Sequence, residues 1–361
     1  MGCTTSAPEA GARLRADSFM SHSRPDCVEE MTDDAVRAEY AFSETSSLLG
    51  RGGFGIVVRA TRTDEPTATV ALKILDKGAL GGALGEAHRE IALARPLAHA
   101  HVVRTWRAIE SDARLYVVMD AVVGGSLARL IDYAPYDALG AATTDGWFSE
   151  ALVQRLAAQL LSALAYLHSA HGVAHLDVSP ANALLTRDPR VDARGAVLKL
   201  CDFGLARRIG RGARASRVFV ARGGEAAAVF GTPAYCAPEM LRGARVGVSA
   251  DVWSAGATLF HALCGERALD VGVGGFEEAA RKADVLERAG GVAALVRGPA
   301  ALAVWERLSE GARALVELLT RRAAEKRPSA ARALAHVWFA DEHVPPFQEA
   351  AAPGGDGVLR V

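Results

Sequence analysis

A glycine-rich stretch near residue 50 has the composition of a loop that binds phosphate. It comprises Leu49, Gly50, Arg51, Gly52, Gly53, Phe54, Gly55, Ile56 and Val57, with glycines in the pattern G-x-G-x-x-G. Because glycine has no Cβ atom, backbone amides there can approach phosphate oxygens closely. A dinucleotide-binding loop would lead into a helix, whereas this stretch continues as a strand pattern. It is therefore interpreted as a hairpin, and a hairpin without a ligand remains the alternative on this stretch alone.

Two residues of opposite charge are suited to hold the phosphates of such a ligand. Lys73 lies in an apolar strand pattern beside Val70 and Ile74. An ammonium among apolar neighbours is costly unless anions pair with it. Phosphate oxygens would supply one set of anions, and Glu90, on the polar side of a helical pattern, would supply a carboxylate that holds Lys73 in position.

Two further stretches contain acidic and amide side chains at close spacing. Asp177 stands within His175-Leu176-Asp177-Val178-Ser179-Pro180-Ala181-Asn182, and Asp202 begins Asp202-Phe203-Gly204.

The elements that must position these residues differ between the two parts of the chain. Before Gly124, short β-branched and apolar runs predict strands, and residues 84–95 predict one helix. After it, long amphipathic segments predict helices. The clearest has leucines three or four residues apart and Ser149 as its N-cap, namely Leu152, Leu156, Leu160, Leu164 and Leu167.

Taken together, these stretches resemble the protein kinase superfamily over residues 43–339. Two further segments match that family, Gly231-Thr232-Pro233-Ala234-Tyr235-Cys236-Ala237-Pro238-Glu239 and Asp251-Val252-Trp253-Ser254-Ala255-Gly256. The resemblance implies an α+β, bilobal protein kinase fold. A small, mainly antiparallel β lobe with one helix would span residues 43–121, and a larger, mainly α-helical lobe would span 122–339.

The resemblance also implies a role for each candidate residue. Asp177, Lys73 and Asn182 would be catalytic, and Asn182 and Asp202 would hold Mg²⁺ against the phosphates of ATP. Glu239 and Arg327 would form a buried ion pair. The substrates would be serine or threonine hydroxyls of proteins, and the nearest branch would be the calcium/calmodulin-dependent and calcium-dependent kinases, here without an EF-hand. ATP would contact the glycine-rich stretch and Ala71, Lys73, Glu90, Met119, Asp120 and Val122.

Two departures from the family pattern affect regulation and rate. Leu176 replaces an arginine that pairs with an activation-loop phosphate in many relatives, which predicts activity without that phosphorylation. Ser179 replaces a lysine that contacts the transferred phosphate, which predicts a slower or specialised kinase. The alternative is a pseudokinase that serves as a membrane-tethered scaffold and binds nucleotide or partners without efficient catalysis.

The N-terminus carries a pattern for lipid attachment. Met1-Gly2-Cys3-Thr4-Thr5-Ser6 fits M-G-x-x-x-[ST], which predicts myristoylation of Gly2 and makes Cys3 a candidate for palmitoylation. One myristoyl chain binds membranes only marginally, so a second anchor would be needed for stable residence. The alternative is an unmodified N-terminus that fits a short pattern. With acylation, the expected location is the cytoplasmic face of the plasma membrane, with a cytosolic pool.

Composition and charge limit the remaining possibilities. Residues 1–42 and 340–361 lack hydrophobic periodicity and are expected to be a flexible N-terminal tail and a disordered C-terminal tail. The formal net charge is −1, which gives no global field for nucleic acid. The five cysteines show no metal-binding or disulfide spacing. The sequence does not indicate an oligomeric state.

Overall fold

The fold has two lobes, one built around a sheet and one built from helices. A computed structural model describes residues 25–133 except Phe54, 149–209 except Ala193, 231–269, 275, 278–279, 281 and 299–340. The other residues lie outside this description. The acylation pattern at Gly2 and Cys3 and the expected tail 340–361, of which only Ala340 is described, therefore stay predictions.

The smaller lobe contains a seven-stranded sheet. Its strands lie in the order β1-β6-β7-β5-β4-β2, with β3 also paired to β4. Only the β1–β6 pair among these is parallel, and the other pairs are antiparallel. The strands are β1 (Val28–Glu30), β2 (Tyr40–Phe42), β3 (Leu48–Gly52), β4 (Gly55–Arg62), β5 (Thr69–Asp76), β6 (Thr105–Glu110) and β7 (Arg114–Asp120).

Three helices accompany this sheet. They are α1 (Asp33–Glu39), α2 (Lys77–Leu80) and α3 (Leu84–Ala94), with a 3₁₀ turn at Gly81–Ala83. The helix α3 occupies the segment for which the sequence predicts the single helix of this lobe. The sequence pattern does not predict α1 and α2, which are seven and four residues long.

The expected flexible tail 1–42 is wrong for residues 25–42, which are folded. They form β1, α1 and β2, and Val28, Val36 and Tyr40 of this segment are buried. The two strands are three residues long, too short to show an alternating pattern. Their stability comes from pairing with distant strands of the sheet, which local sequence does not reveal.

The larger lobe is mainly helical in the part that the structure describes. Its helices are α4 (Leu127–Asp132), α5 (Glu150–Ala170), α6 (Pro238–Leu241), α7 (Val248–Cys264), α8 (Pro299–Arg307), α9 (Glu310–Leu319) and α10 (Ala330–Ala333). Two small sheets pair β9 (Ala183–Leu185) with β10 (Leu198–Leu200), and β8 (Val173–Ala174) with β11 (Arg207–Arg208). Short 3₁₀ turns lie at Pro233–Tyr235, Ala324–Lys326 and Val337–Phe339.

The predicted leucine pattern forms the centre of this lobe. The five leucines of the predicted pattern are at most 3% exposed, and Ser149 caps the helix by accepting a hydrogen bond from the N–H of Leu152 (3.3 Å). They pack in one large cluster with Trp253 and Phe260 of α7. Burial of an apolar face provides most of a helix's stability in a protein, so α5 and α7 support the loops between them.

A buried ion pair fastens α6 to the C-terminal part of the lobe. Arg327 donates from Nη1 to Glu239 Oε1 (2.6 Å) and from Nη2 to Oε2 (2.9 Å). The side chain of Arg327 is 0% exposed, and further nitrogen contacts go to backbone carbonyls of Ser249, Arg321 and Arg322. The ion pair predicted from the family resemblance is therefore present.

Removing the guanidinium of Arg327 should leave the Glu239 carboxylate inside the protein without its charged partner. We expect Arg327→Met to lower the free energy of unfolding by about 3–5 kcal/mol, measured by urea denaturation. Arg187→Met provides a matched control, because Arg187 pairs with Asp192 on the surface and is 68% exposed. That control should cost less than about 1 kcal/mol, and an equal loss in both variants would contradict a special role for the buried pair.

Candidate active site

Charged residues from both lobes meet at the side chain of Lys73. Lys73 lies on β5 and its Nζ is 2.7 Å from Oε1 of Glu90 on α3. The same Nζ is 4.0 Å from Oδ1 of Asp202 in the helical lobe. Burial lowers the pKa of Lys73, but the charges of Glu90 and Asp202 outweigh it, so the pKa is raised above its ordinary value. Lys73 therefore remains an ammonium at neutral pH.

The carboxylate of Asp177 is held on both of its oxygens. The N–H and the hydroxyl of Thr232 each donate to Oδ1 (2.9 Å each), and the Asn182 amide donates to Oδ2 (2.8 Å). Burial raises the pKa of Asp177, while these hydrogen bonds oppose the rise. A carboxylate so oriented and so raised in basicity is suited to accept a proton.

Thr232 is a contact that sequence reasoning missed. The sequence marks its segment only as a match to the protein kinase family. The contact spans 55 positions in the chain, and no local pattern encodes it. Gly231, directly before it, has φ +100°, and a Cβ atom there would lie 3.1 Å from the Leu176 carbonyl oxygen. Glycine at this position thus lets the segment approach the catalytic loop.

A fully buried carboxylate fixes the loop that carries Asp177. Asp251, at 0% exposure, accepts hydrogen bonds from the backbone N–H groups of His175 and Leu176 (2.8 Å each) and lies 2.8 Å from Nε2 of His168. The sequence marks Asp251 only as part of a family segment. Asp251 lies on α7, so one buried carboxylate on this helix positions the backbone of the loop that carries Asp177.

Two residues next to the reacting groups have unusual backbone angles. Leu176 and Asp202 are the non-glycine residues with positive φ among those that the structure describes, at +66° and +65°. Such conformations cost on the order of 1–3 kcal/mol each and persist only where the surroundings impose them. Here the Leu176 backbone is held by Asp251, and Phe203 packs its ring 5.0 Å from that of His175.

The glycine-rich hairpin forms as the sequence predicts. Strands β3 and β4 pair antiparallel, with Gly52 opposite Gly55. A Cβ atom on Gly55 would lie 2.0 Å from the Ile74 carbonyl oxygen, so this glycine is needed for contact with β5. At Gly50 and Gly53 a Cβ atom would meet nothing within 4 Å. The space beside Gly50 and Gly53 is therefore open, and Phe54 lies outside the description.

The other residues assigned to the nucleotide site lie along the adjoining strands. Ala71 is buried on β5 directly opposite Met119 on β7. The N–H of Asp120 donates to the Arg104 carbonyl (3.0 Å), so that N–H is already committed within the protein. Val122 follows β7 in a half-buried position. These positions place the expected adenine slot at the junction of the lobes.

The candidate metal donors fit a cation bound together with phosphate. Asn182 uses its amide nitrogen for Asp177, which leaves its oxygen as a donor. The Asp202 side chain is 53% exposed. Within the described ranges, no group of three or more His, Cys, Asp or Glu residues could hold a metal by itself. Mg²⁺ commonly binds through one or two protein oxygens plus substrate phosphates, and this pair suits that arrangement.

The comparison with known families agrees with this geometry. The protein kinase domain family matches residues 43–339. The chain therefore belongs to the protein kinase family.

Several named protein kinases are similar to this chain. It is 38% identical to CBL-interacting protein kinase 4 of Oryza sativa subsp. japonica over 63% of this chain and 45% of the relative. Identity to maternal embryonic leucine zipper kinase of Danio rerio is 36%, over 62% of this chain and 29% of the relative. For calcium/calmodulin-dependent protein kinase type 1 of Macrobrachium nipponense it is 29%, over 84% and 76%. The aligned part spans less than half of the first two relatives.

Ser179 stands where the family resemblance implies a lysine, and the structure leaves its hydroxyl without a partner. The residue is 1% exposed, and its Oγ is a buried atom with no hydrogen bond within the described part of the chain. It therefore gives Asp177 no recorded hydrogen bond.

Restoring that charge should accelerate phosphoryl transfer. We expect Ser179→Lys to raise kcat by up to about 10²-fold, because one donor to the transition state is regained. Ser179→Met, of similar length but uncharged, is the matched control and should give no increase. Steady-state kinetics with a protein substrate measures both, and equal rates for the two variants would contradict the electrostatic explanation.

Proposed function

We propose that the protein is an ATP-dependent serine/threonine protein kinase that transfers the γ-phosphate to protein hydroxyl groups. The observation that carries this proposal is the meeting of Lys73, Glu90 and Asp202 at one point, with the 2.7 Å Lys73–Glu90 pair intact. In protein kinases this pair and the metal-binding aspartate must both be in place for catalysis. The family membership supports the same activity.

Each side chain has a separate task in the proposed reaction. Lys73, fixed by Glu90, donates to phosphate oxygens and offsets their negative charge. Asp177 accepts the hydrogen bond of the substrate hydroxyl and takes its proton as the oxygen bonds to phosphorus and the bond to ADP breaks. Asn182 and Asp202 would hold Mg²⁺, which would supply positive charge against the negative charge that develops on the phosphate groups.

The partners of Asp177 explain how it can orient a substrate. Thr232 occupies Oδ1 and Asn182 occupies Oδ2, so rotation of the carboxylate would break three hydrogen bonds. Oδ1 already accepts two hydrogen bonds, whereas Oδ2 accepts one and can accept a further one. A serine or threonine hydroxyl can therefore be held in a fixed direction before it reacts.

The nucleotide is proposed to lie between the glycine-rich hairpin and the strands that follow. Open space at Gly50 and Gly53 would admit phosphates, and Ala71 and Met119 would line the adenine slot. Backbone groups near Asp120 and Val122 would contact the base. Because the Asp120 N–H is already bonded, its carbonyl is the group proposed for this contact.

A catalytically weak pseudokinase scaffold remains the second candidate. Ser179 favours it, because the transferred phosphate loses one cationic partner. The retained set Lys73, Glu90, Asp177 and Asn182 favours catalysis. The two candidates differ in one outcome, which is whether Asp177 is needed for labelling of a substrate.

Removing the proposed base should abolish phosphoryl transfer. Bacterially made, phosphatase-treated protein should label a basic protein substrate from γ-labelled ATP with Mg²⁺, since Leu176 offers no guanidinium for a regulatory phosphate. Asp177→Asn should reduce the rate by at least about 10²-fold, because the proton acceptor is lost. Equal labelling by both proteins would favour the scaffold. Loss of activity on phosphatase treatment alone would contradict independence from phosphorylation.

We further propose that acylation at Gly2, with Cys3 as the second anchor, tethers the kinase to the cytoplasmic face of the plasma membrane. The N-terminal pattern supports this. Of the helices that could be examined in the described ranges, none is long and apolar enough to cross a bilayer. Protein substrates at that membrane would then meet the enzyme at raised local concentration, while a chain carrying only myristate would form a cytosolic pool.

Membrane association should depend on both N-terminal positions. Gly2→Ala should abolish incorporation of a clickable myristate and move the protein to the soluble fraction of eukaryotic cells. Cys3→Ser should retain the myristate label but shift a large share to the soluble fraction, since one chain binds weakly. Thr4→Ala is the neighbouring control. A wild-type protein without label would contradict the proposal.

A further inference from the structure

Residues 25–42, here called the N-terminal strap, cross the sheet from one edge to the other. At one end β1 pairs with β6, with Val28 opposite Ala108. At the other end β2 pairs with β4, with Tyr40 opposite Arg62. Between them α1 covers one face of the sheet. The strap precedes residues 43–339, which match the protein kinase domain, so its presence does not follow from the family match.

The first end of the strap packs into the cluster that supports α3. Val28 is 4% exposed and belongs to the same buried cluster as Ala87 and Ile91 of α3, with Cys27 packed against it. The C-terminal end of α3 belongs to a different cluster, in which Leu93 joins Phe203 of the helical lobe. Glu90 lies between Ala87 and Ile91, so this part of the helix packs in the same cluster as Val28 of the strap.

Polar contacts fix the strap to the same strands. Arg107 on β6 donates to both oxygens of Glu29 (3.0 and 2.6 Å) and also to Glu39. The hydroxyl of Tyr116 on β7 donates to Asp33 (2.7 Å). The charged groups lie on both ends of the strap, so neither end depends on apolar packing alone.

One residue of β6 joins the strap and α3 directly. The backbone carbonyl of Glu110 accepts from the N–H of Met31 (3.1 Å), while its carboxylate lies 2.8 Å from Nε2 of His88 on α3. Lys77 donates to the same carboxylate (2.6 Å). Movement of the strap would therefore disturb a polar contact that reaches within two residues of Glu90.

The helix α3 has little stability of its own. It has eleven residues, begins after Gly81 and Gly82, and its N-cap Ala83 makes no side-chain hydrogen bond. Isolated helices of this length are marginal in water, and an alanine cap leaves backbone N–H groups without a partner. Its position must come from tertiary packing, to which Val28 contributes.

We infer that the N-terminal strap is a built-in positioning element for catalysis, in which Val28 holds α3 so that Glu90 pairs with Lys73. Leu176 stands where many relatives have an arginine that pairs with an activation-loop phosphate. The strap would support α3 from within the same chain, without depending on such a phosphate. This inference rests on the kinase activity proposed above and is independent of acylation. Val28 is a positioning residue, since it acts through Glu90 rather than on the substrate.

The inference is tested in the full-length chain by making the same polar substitution at Val28, inside the cluster that includes α3 residues, and at an exposed valine outside it. Val28→Asn should lower kcat by about 10- to 100-fold, since small displacements of catalytic groups have effects of this size. The KM for the protein substrate should change little. Val191→Asn is the matched control, because Val191 is 88% exposed, and should leave kcat unchanged. Val28→Ile should behave as wild type.

A double-mutant cycle with Glu90→Gln separates positioning from general destabilisation. If Val28 acts through the Lys73–Glu90 pair, adding Val28→Asn to Glu90→Gln should reduce kcat by less than twofold further. Rates are measured where circular dichroism shows each variant folded. The inference would be overturned if the kcat reductions of the two single variants multiplied in the double variant. It would also be overturned if folded Val28→Asn had the kcat of the wild type. An inactive wild-type protein would instead defeat the proposed function.

A milder variant keeps the test decisive if Val28→Asn does not fold. In Val28→Ala, hydrogen exchange of the α3 amides should become at least about tenfold faster, while exchange in α5 should stay unchanged. The readout is local and needs no enzymatic activity. Equal acceleration in both helices, or none in α3, would contradict the assigned role of the strap.

Discussion

The contact between Lys73 and Glu90 is the constraint on which the candidate active site depends. One partner stands on a strand and the other on a helix, so the 2.7 Å distance exists only when α3 lies correctly against the sheet. Both side chains are about one-fifth exposed, which reduces the competition from water that makes surface pairs weak. The nearby Asp202 extends the same constraint to the helical lobe. The reacting groups therefore align only when the smaller lobe is correctly folded.

A second constraint is provided by buried hydrogen-bond acceptors that order the loop carrying Asp177. Asp251 takes two backbone N–H groups, and His175 adds a contact of 3.0 Å from Nε2 to the carbonyl of Cys201. Networks of this kind are rigid when every member is satisfied, because an unpaired buried group is expensive. They allow Leu176 and Asp202 to keep backbone angles that would otherwise relax. The loop is therefore rigid where proton transfer needs a fixed direction.

The sequence predicted the parts of the structure in which local pattern and chemistry coincide. The leucines of α5, its Ser149 cap, the strands around the glycine-rich stretch and the Glu239–Arg327 pair all have local or family signals. The strap had none, since Val28 and Tyr40 acquire their partners only through strand pairing with distant segments. Thr232 was missed as a contact for the same reason. Gly55 was predicted as part of a phosphate loop, but its close approach to Ile74 shows that packing requires it.

The strap also adds a short strand at each end of the sheet. β1 covers the free edge of β6, and β2 covers β4 beyond the end of β3. Unpaired strand edges expose rows of backbone donors and acceptors that recruit strands from other molecules. A recombinant fragment begun at residue 43, where the family match starts, would uncover these edges together with apolar surface now hidden by Val36 and Tyr40. Insolubility of such a fragment would then reflect edge-to-edge self-association rather than an intrinsically unstable kinase domain.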